Sequence, residues 1–180
     1  FPTRRSSDLY MAANKINEGL NYITYGLYIV TSVDGERKNG MIVNTVFQVT
    51  AQPSQVAISV NKNSLTHDII MKSRVFAAMP LEQETSLPFI GIFGFRSGTT
   101  FDNFAKVPYK TGFLGCPIIT EHTLSYMEVE VNNTVDLGTH TLFIGEVKDA
   151  GVLKEQGKAL TYDYYHHVIK GKTPAGATHV

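Results

Sequence analysis

The chain has 180 residues, of which 43% are apolar and 18% are charged. Its 16 basic residues balance its 16 acidic ones, so it lacks the positive excess that is typical of nucleic-acid-binding proteins. No apolar run approaches the roughly 20 residues that span a bilayer. We therefore expect neither a nucleic-acid partner nor a membrane one.

The first half of the chain predicts a helix followed by paired strands. Residues 1–10 are polar and aperiodic, and we expect a non-native or disordered tail there and a single domain over 11–180. Alternation and turn residues then predict the following elements: a short helix over 12–21, a strand over 23–32, a turn over 33–40, a strand over 41–50 that forms a hairpin with the first, a turn over 51–54 and a third strand over 55–60.

The second half adds short helices and further strands. Leu65–Ser73 fits a helical apolar stripe with Ser64 or Thr66 as its N-cap. The pattern further predicts a strand over Val75–Pro80, a helix beginning in 82–95 and crossing Pro88, an irregular stretch over 96–112, and strands over 126–132 and 139–147. Six or seven strands with two or three short helices indicate a mainly β fold, and they favour an antiparallel barrel over βαβ units.

Few residues point to a metal site or to a catalytic nucleophile. Cys116 is the only cysteine, which excludes an intramolecular disulfide and fits a reducing, cytoplasmic location. Because it lies in a Gly-Cys-Pro turn, we interpret it as structural. The six histidines are scattered without carboxylates at ligand spacing, so no metal is predicted.

One polar region could bind a flat ligand with a phosphate tail. The amides of Asn44 and Gln48 alternate with apolar groups along the strand over 41–50, and donors over 61–67 follow the next strand. Lys62 and nearby hydroxyls beside a helix start could hold a phosphate, although a polar strand face and an N-cap would explain them equally well. The loop over 91–104 adds Arg96, but taken alone its residues indicate an ordinary solvated loop rather than an anion-binding site.

Six segments in this order resemble the flavin reductase-like domain family. They are YGLYIVTS, NGMIVNTVFQVT, ISVNKNSLTH, FIGIFGFRSG, GTHTLFIGEV and LTYDYYHHVIKGKTP. The chain is most similar to the flavoredoxin-type branch, which includes the flavin domain of high-molecular-weight rubredoxin. The resemblance implies an antiparallel split β-barrel of Greek-key type, a homodimer, and non-covalent FMN near the dimer interface.

The resemblance also implies which residues hold FMN, while the flavin itself carries the chemistry and no catalytic side chain is expected. It places Asn44, Thr45, Val46, Phe47 and Gln48 at the ring and ribityl chain. It places Asn61, Lys62, Thr66 and His67 at the ribityl-phosphate end, and Arg96, Ser97 and Gly98 over the phosphate. His140, Tyr165 and His166 would lie near the exposed ring face or the partner subunit. Relatives often carry basic residues at the positions of Thr99 and Asn103, which bears on the identity of the nicotinamide donor.

The function implied is an FMN-dependent oxidoreductase that passes electrons from NAD(P)H to a rubredoxin-like protein or to another acceptor. Two alternatives remain open: a non-enzymatic FMN electron carrier and a barrel without a ligand. A third, a pyridoxamine-phosphate-type oxidase, is disfavoured by the ordered motifs and by the segment HVIKGKTP. In the rubredoxin-fused branch the acceptor lies on a following domain. This sequence has no C-x-x-C pair, so we expect a separate acceptor or a truncated fusion.

Overall fold

A seven-stranded antiparallel sheet dominates the computed structural model, which describes residues 15–95 and 100–173. The strands are β1 (Tyr28–Asp34), β2 (Arg37–Val43), β3 (Val46–Ala51), β4 (Ser54–Asn61), β5 (Val75–Pro80), β6 (Tyr109–Thr111), β7 (Pro117–Ile119), β8 (Ser125–Asp136) and β9 (His140–Val152). The helices are α1 (Leu65–Ser73), α2 (Leu87–Gly94) and α3 (Tyr162–His167). Residues 15–20 are also helical. The order across the main sheet is β2-β1-β5-β8-β9-β4-β3, and β6 pairs with β7 separately.

The two edges of this sheet are consecutive in the chain. β2 and β3 are the edge strands, and only Asn44 and Thr45 connect them. The sheet must therefore curl until its edges approach each other at that end. One apolar cluster accordingly collects residues from β1, β2, β4, β5, β8 and β9, among them Val30, Ile58, Phe76 and Phe143. The fold is thus a mainly β, antiparallel split barrel, as the sequence predicts.

The outer face of the sheet is covered as well. Ile29 and Met79 point away from the barrel interior and pack with Phe89 and Ile90 of α2 and with Tyr165 of α3. Successive residues of a strand point to opposite faces. Ile29 and its neighbour Val30 are consequently fully buried in different clusters. The two helices thereby cover one end of the split.

The helix predicted over Leu65–Ser73 is confirmed with the same bounds. Ser64 caps it, because its hydroxyl accepts a hydrogen bond of 3.1 Å from the backbone N–H of His67. The helix ends at Arg74, whose φ of 63° is left-handed and whose N–H donates to the carbonyl of Ile70. The strand over Val75–Pro80 and the turn over 51–54 are also confirmed.

The single strand predicted over 41–50 is wrong. The strand is interrupted at Asn44-Thr45. As a result β2 pairs with β1 at one edge of the sheet, while β3 pairs with β4 at the other. The predicted first hairpin is correct, but its turn is only Gly35-Glu36, where Gly35 adopts a φ of 60°.

Four other predicted elements have different bounds, for local reasons. β1 begins later than residue 23, because the backbone around Leu27 pairs with the segment before α3 instead. α2 begins at Leu87 and not at the start of the predicted stretch 82–95, with Ser86 as its cap and Pro88 in its first turn. β8 and β9 run past the predicted 126–132 and 139–147 because they pair with each other beyond the neighbouring strands. The predicted tail over 1–10 lies outside the described residues.

Candidate functional site: a cleft at the split of the barrel

A cleft opens where the end of β2 approaches the ends of β4 and β9, with α2 and α3 as its other walls. It holds about 540 Å³ of empty space, part of it open to solvent. Most of its lining is apolar or aromatic. The polar side chains that line it are those of Asn44, Ser59, Asn61, His140 and Thr173.

Asn44 is the most telling polar group of the cleft. It occupies the break between β2 and β3 and is only 7% exposed. Its Oδ1 accepts a hydrogen bond of 3.0 Å from the Thr45 hydroxyl, but its buried Nδ2 has no hydrogen-bond partner. A buried donor left unpaired costs roughly 1–3 kcal/mol. An acceptor atom on a ligand in the cleft would remove that cost.

Two tyrosines of α3 form an aromatic wall. The rings of Tyr162 and Tyr165 lie 6.1 Å apart at an interplanar angle of 20°. Burial raises the pKa of both phenols, and for Tyr162 the Thr173 side chain acts in the opposite direction, as does the Asn44 amide, which lies near the phenol without meeting hydrogen-bond geometry. Both hydroxyls therefore stay protonated near neutral pH. A planar ring can pack against such a surface.

Sequence reasoning missed Tyr162, although a signal was available. In a helix, residues three and four apart share one face. Tyr162, Tyr165 and His166 have that spacing within the aromatic run that follows Thr161, which caps α3. The three residues do cluster, with the His166 ring edge-on to Tyr162 at 4.3 Å.

Four of the predicted site residues meet in the cleft, namely Asn44, Asn61, His140 and Tyr165. The break after Asn44 carries Val46, Phe47 and Gln48 elsewhere, to a separate hollow that is also lined by Tyr28, Met127 and Val147. His166 lies on the far side of the aromatic wall, in a groove formed with residues 21–25. The fold therefore carries residues 46–48 and His166 to surfaces other than the cleft, although they are close in sequence to Asn44 and Tyr165.

The side chains predicted around the start of α1 have contacts within the protein. Thr66 is fully buried and accepts a hydrogen bond of 3.0 Å from Nδ2 of Asn39. His67 lies 2.9 Å from the Thr141 hydroxyl through Nε2. Neither Thr66 nor His67 lines the cleft.

Lys62 forms an ion pair with Asp136 at 2.6 Å, and this pairing lowers the pKa of the aspartate. Like Thr66 and His67, Lys62 is not among the residues that line the cleft. The predicted phosphate contacts Arg96, Ser97 and Gly98 lie outside the described residues.

Two further positions of interest are structural. Asn103 is 1% exposed and donates a hydrogen bond of 2.7 Å from Nδ2 to the carbonyl of Gly40, which joins the loop before β6 to the edge strand β2. Cys116 is fully buried, and burial raises its pKa to about 12. A thiol of that pKa forms no useful thiolate at neutral pH, in agreement with its predicted structural role.

Over residues 15–95 and 100–173, no group of three or more His, Cys, Asp or Glu side chains is arranged to hold a metal ion. Within the same part of the chain, every helix is too short or too polar to cross a bilayer.

Comparison with known proteins identifies the family. The model of the flavin reductase like domain matches residues 20–169. High molecular weight rubredoxin of Moorella thermoacetica is 48% identical over 89% of this chain and 69% of its own length. Ferric-chelate reductase (NAD(P)H) of Archaeoglobus fulgidus is 49% identical over 89% of this chain and 95% of its own.

A solved structure gives the same picture. The FMN-binding protein from Thermus thermophilus, solved with bound p-hydroxybenzaldehyde, superposes with a TM-score of 0.69. It is 25% identical, and the match covers 78% of this chain and 82% of that one. The family match spans both walls of the cleft, from β2 to α3. The chain therefore belongs to the flavin reductase-like domain family.

Proposed function

We propose that this protein is an FMN-dependent oxidoreductase that takes electrons from NAD(P)H and passes them to a one-electron acceptor. The observation that carries the proposal is the unpaired, buried amide of Asn44 in a largely apolar cleft. A bound flavin would supply the redox chemistry, accepting a hydride and releasing electrons one at a time.

The residues of the cleft fit such a cofactor. The Nδ2 of Asn44 can donate to a carbonyl or ring nitrogen of the flavin, and the Ser59 hydroxyl and the Asn61 amide add further polar groups on the same side. Tyr162 and Tyr165 offer aromatic surface. His140 is half-buried, and we propose that it faces the nicotinamide.

The phosphate end of FMN is proposed to lie toward the start of α1. The resemblance assigns this end to Asn61, Lys62, Thr66 and His67. The side chains of Thr66 and His67 already bind Asn39 and Thr141. Lys62 supplies the positive charge of this group, although it shares that charge with Asp136 at 2.6 Å.

The acceptor is proposed to be a ferric complex or a rubredoxin-like protein. Support comes from the two relatives near 50% identity, one named as a ferric-chelate reductase that uses NAD(P)H and the other as a rubredoxin.

We further propose a homodimer and a cytoplasmic location. The edge strand β3 exposes Phe47 (48%) and Val49 (44%), and a second copy would cover this apolar edge.

The test is an anaerobic visible spectrum of the FMN-reconstituted protein during stepwise addition of NADH and then NADPH. Flavin bands that stay with the protein and bleach with either nucleotide would support the reductase. Retained bands that neither nucleotide bleaches would instead favour an electron carrier reduced by a protein partner. A preparation that retains no flavin would contradict both.

A further inference from the structure

A chain of hydrogen bonds crosses the aromatic wall of the cleft. The Tyr162 hydroxyl lies 2.7 Å from Oγ1 of Thr173, which lies 3.1 Å from Nε2 of His166. Tyr162 and Thr173 line the cleft on one side and the outer groove on the other. His166 is half-buried and lines only the groove. The three side chains therefore connect the cleft to the outside.

The partners of His166 determine which group donates in each of these hydrogen bonds. Its Nδ1 lies 3.0 Å from the carbonyl oxygen of Gly171, which can only accept, so Nδ1 carries the hydrogen. In the neutral ring Nε2 is then the acceptor. Thr173 must donate to Nε2, and its oxygen must accept from the Tyr162 hydroxyl. Both hydroxyl hydrogens consequently point away from the cleft.

The proposed reaction leaves a proton that needs such a route. A hydride carries two electrons and one proton, whereas a one-electron acceptor removes electrons only. One NADH and two oxidised acceptors therefore give NAD⁺, two reduced acceptors and one proton. That proton is released inside a cleft whose walls are mostly apolar.

We propose that Tyr162, Thr173 and His166 form the exit path for this proton, an inference that rests on the proposed function. The Tyr162 oxygen takes a proton from the cleft while its own hydroxyl proton moves to the Thr173 oxygen. The Thr173 proton moves in turn to Nε2, so each oxygen gains one O–H bond and loses one. The imidazolium of His166 then turns its ring away from Thr173, gives the Nε2 proton to water in the groove and turns back, and the hydroxyls rotate back.

The surroundings of His166 suit a group that exchanges protons with solvent. Its ring packs edge-on against Tyr162 and Tyr165. Asp163 and His167 pair with each other at 2.9 Å on the exposed side of the same helix. Among the described residues, the titratable or charged groups that face the groove, pack on His166 or lie on the segment after α3 are Tyr22, Tyr25, Tyr162, Asp163, Tyr165, His167, Lys170 and Lys172.

The first test needs no cofactor. In FMN-free protein with ¹⁵N-labelled histidine, the ring nitrogen shifts of His166, assigned with His166→Gln, should show a neutral ring protonated at Nδ1. Thr173→Val should shift Nε2 of His166, whereas the His167 signals should not move. A neutral ring protonated at Nε2 would overturn the hydrogen-bond direction and the exit path with it.

The second test compares two acceptors in single-turnover reoxidation of the reduced holoprotein. Ferricyanide takes only electrons, whereas benzoquinone takes up protons together with its electrons. Thr173→Val should slow reoxidation by ferricyanide on the order of tenfold to hundredfold and leave reoxidation by benzoquinone unchanged. Thr173→Ser should restore the rate, and the control variant His167→Gln should behave like the wild type.

Other outcomes would overturn the exit path. Equal slowing with both acceptors would indicate a merely structural role for Thr173, and an unchanged ferricyanide rate would show that the proton leaves elsewhere. Tyr162→Phe gives a second break in the same chain and should reproduce the selectivity of Thr173→Val. Failure of the wild type to bind FMN would overturn the proposed function itself, and the ¹⁵N shifts would still report on the hydrogen bonds.

Discussion

The carboxylate of Glu128 accepts a hydrogen bond of 3.0 Å from the backbone N–H of Leu114. Glu128 is fully buried on β8, and the same carboxylate also accepts from the backbone N–H of Phe113. These bonds fasten the turn between β6 and β7 to the main sheet. A carboxylate buried in this way connects the stability of the protein to pH.

We expect Glu128 to make the protein less stable as the pH rises. Burial raises its pKa in the folded state, so the folded protein holds this proton more tightly than the unfolded chain does. Its stabilising contribution is complete below the ordinary glutamate pKa and is lost as the pH rises through the raised value. Urea unfolding between pH 4 and 8 should show this slope, and Glu128→Gln should remove it.

Near pH 4, Glu128→Gln should also lower the free energy of unfolding by about 1–3 kcal/mol, because the amide would turn a donor toward a backbone N–H. The exposed Glu155→Gln is the matched control and should leave both the slope and the stability unchanged. A slope that persists in Glu128→Gln would assign the pH dependence to another group.

Asn44→Ala should separate ligand binding from stability. Its Nδ2 is buried without a partner, so the FMN-free variant should lose little stability. The affinity for FMN should fall about tenfold, the equivalent of one hydrogen bond of about 1.4 kcal/mol. Fluorescence titration with FMN and thermal unfolding measure the two effects. Asn132→Ala, on the exposed part of β8, should change neither, and unchanged affinity in Asn44→Ala would remove this residue from the site.

Lys62 should be tested together with its ion-pair partner. If Lys62 binds the phosphate, Lys62→Ala should weaken FMN binding about tenfold. Asp136→Asn releases the lysine from its 2.6 Å ion pair and should leave FMN binding unchanged or make it tighter. An exposed pair of this kind adds little stability, so both variants should fold. Equal FMN affinity in wild type and Lys62→Ala would refute the phosphate assignment.

Cys116 should be inert in the native protein. With full burial and a pKa of about 12, it should not react with a disulfide reagent such as DTNB at pH 8. One thiol per chain should react after unfolding in guanidinium chloride. Rapid reaction of the native protein would show that the turn containing Cys116 opens, and the interpretation of Cys116 as structural would then fail.

Local sequence patterns were enough to predict the elements that depend on interactions between residues close in sequence. Ser64 before an apolar helical stripe predicts the capped helix Leu65–Ser73, and that helix forms with the predicted bounds. Alternation likewise identifies the strands and the antiparallel barrel, because a period of two reports which residues face a core. The ordered motifs also sufficed for the family, which the comparison confirms.

The tertiary structure alone decided which strands become neighbours and which side chains share a cleft. Alternation continues unbroken through Asn44 and Thr45, yet β2 and β3 lie on opposite edges of the sheet, since pairing partners are chosen by long-range contacts. For that reason Phe47 lines a different hollow from Asn44. Tyr162, distant in the chain, reaches the cleft only because the backbone before α3 pairs with that around Leu27, and no local pattern records such a contact.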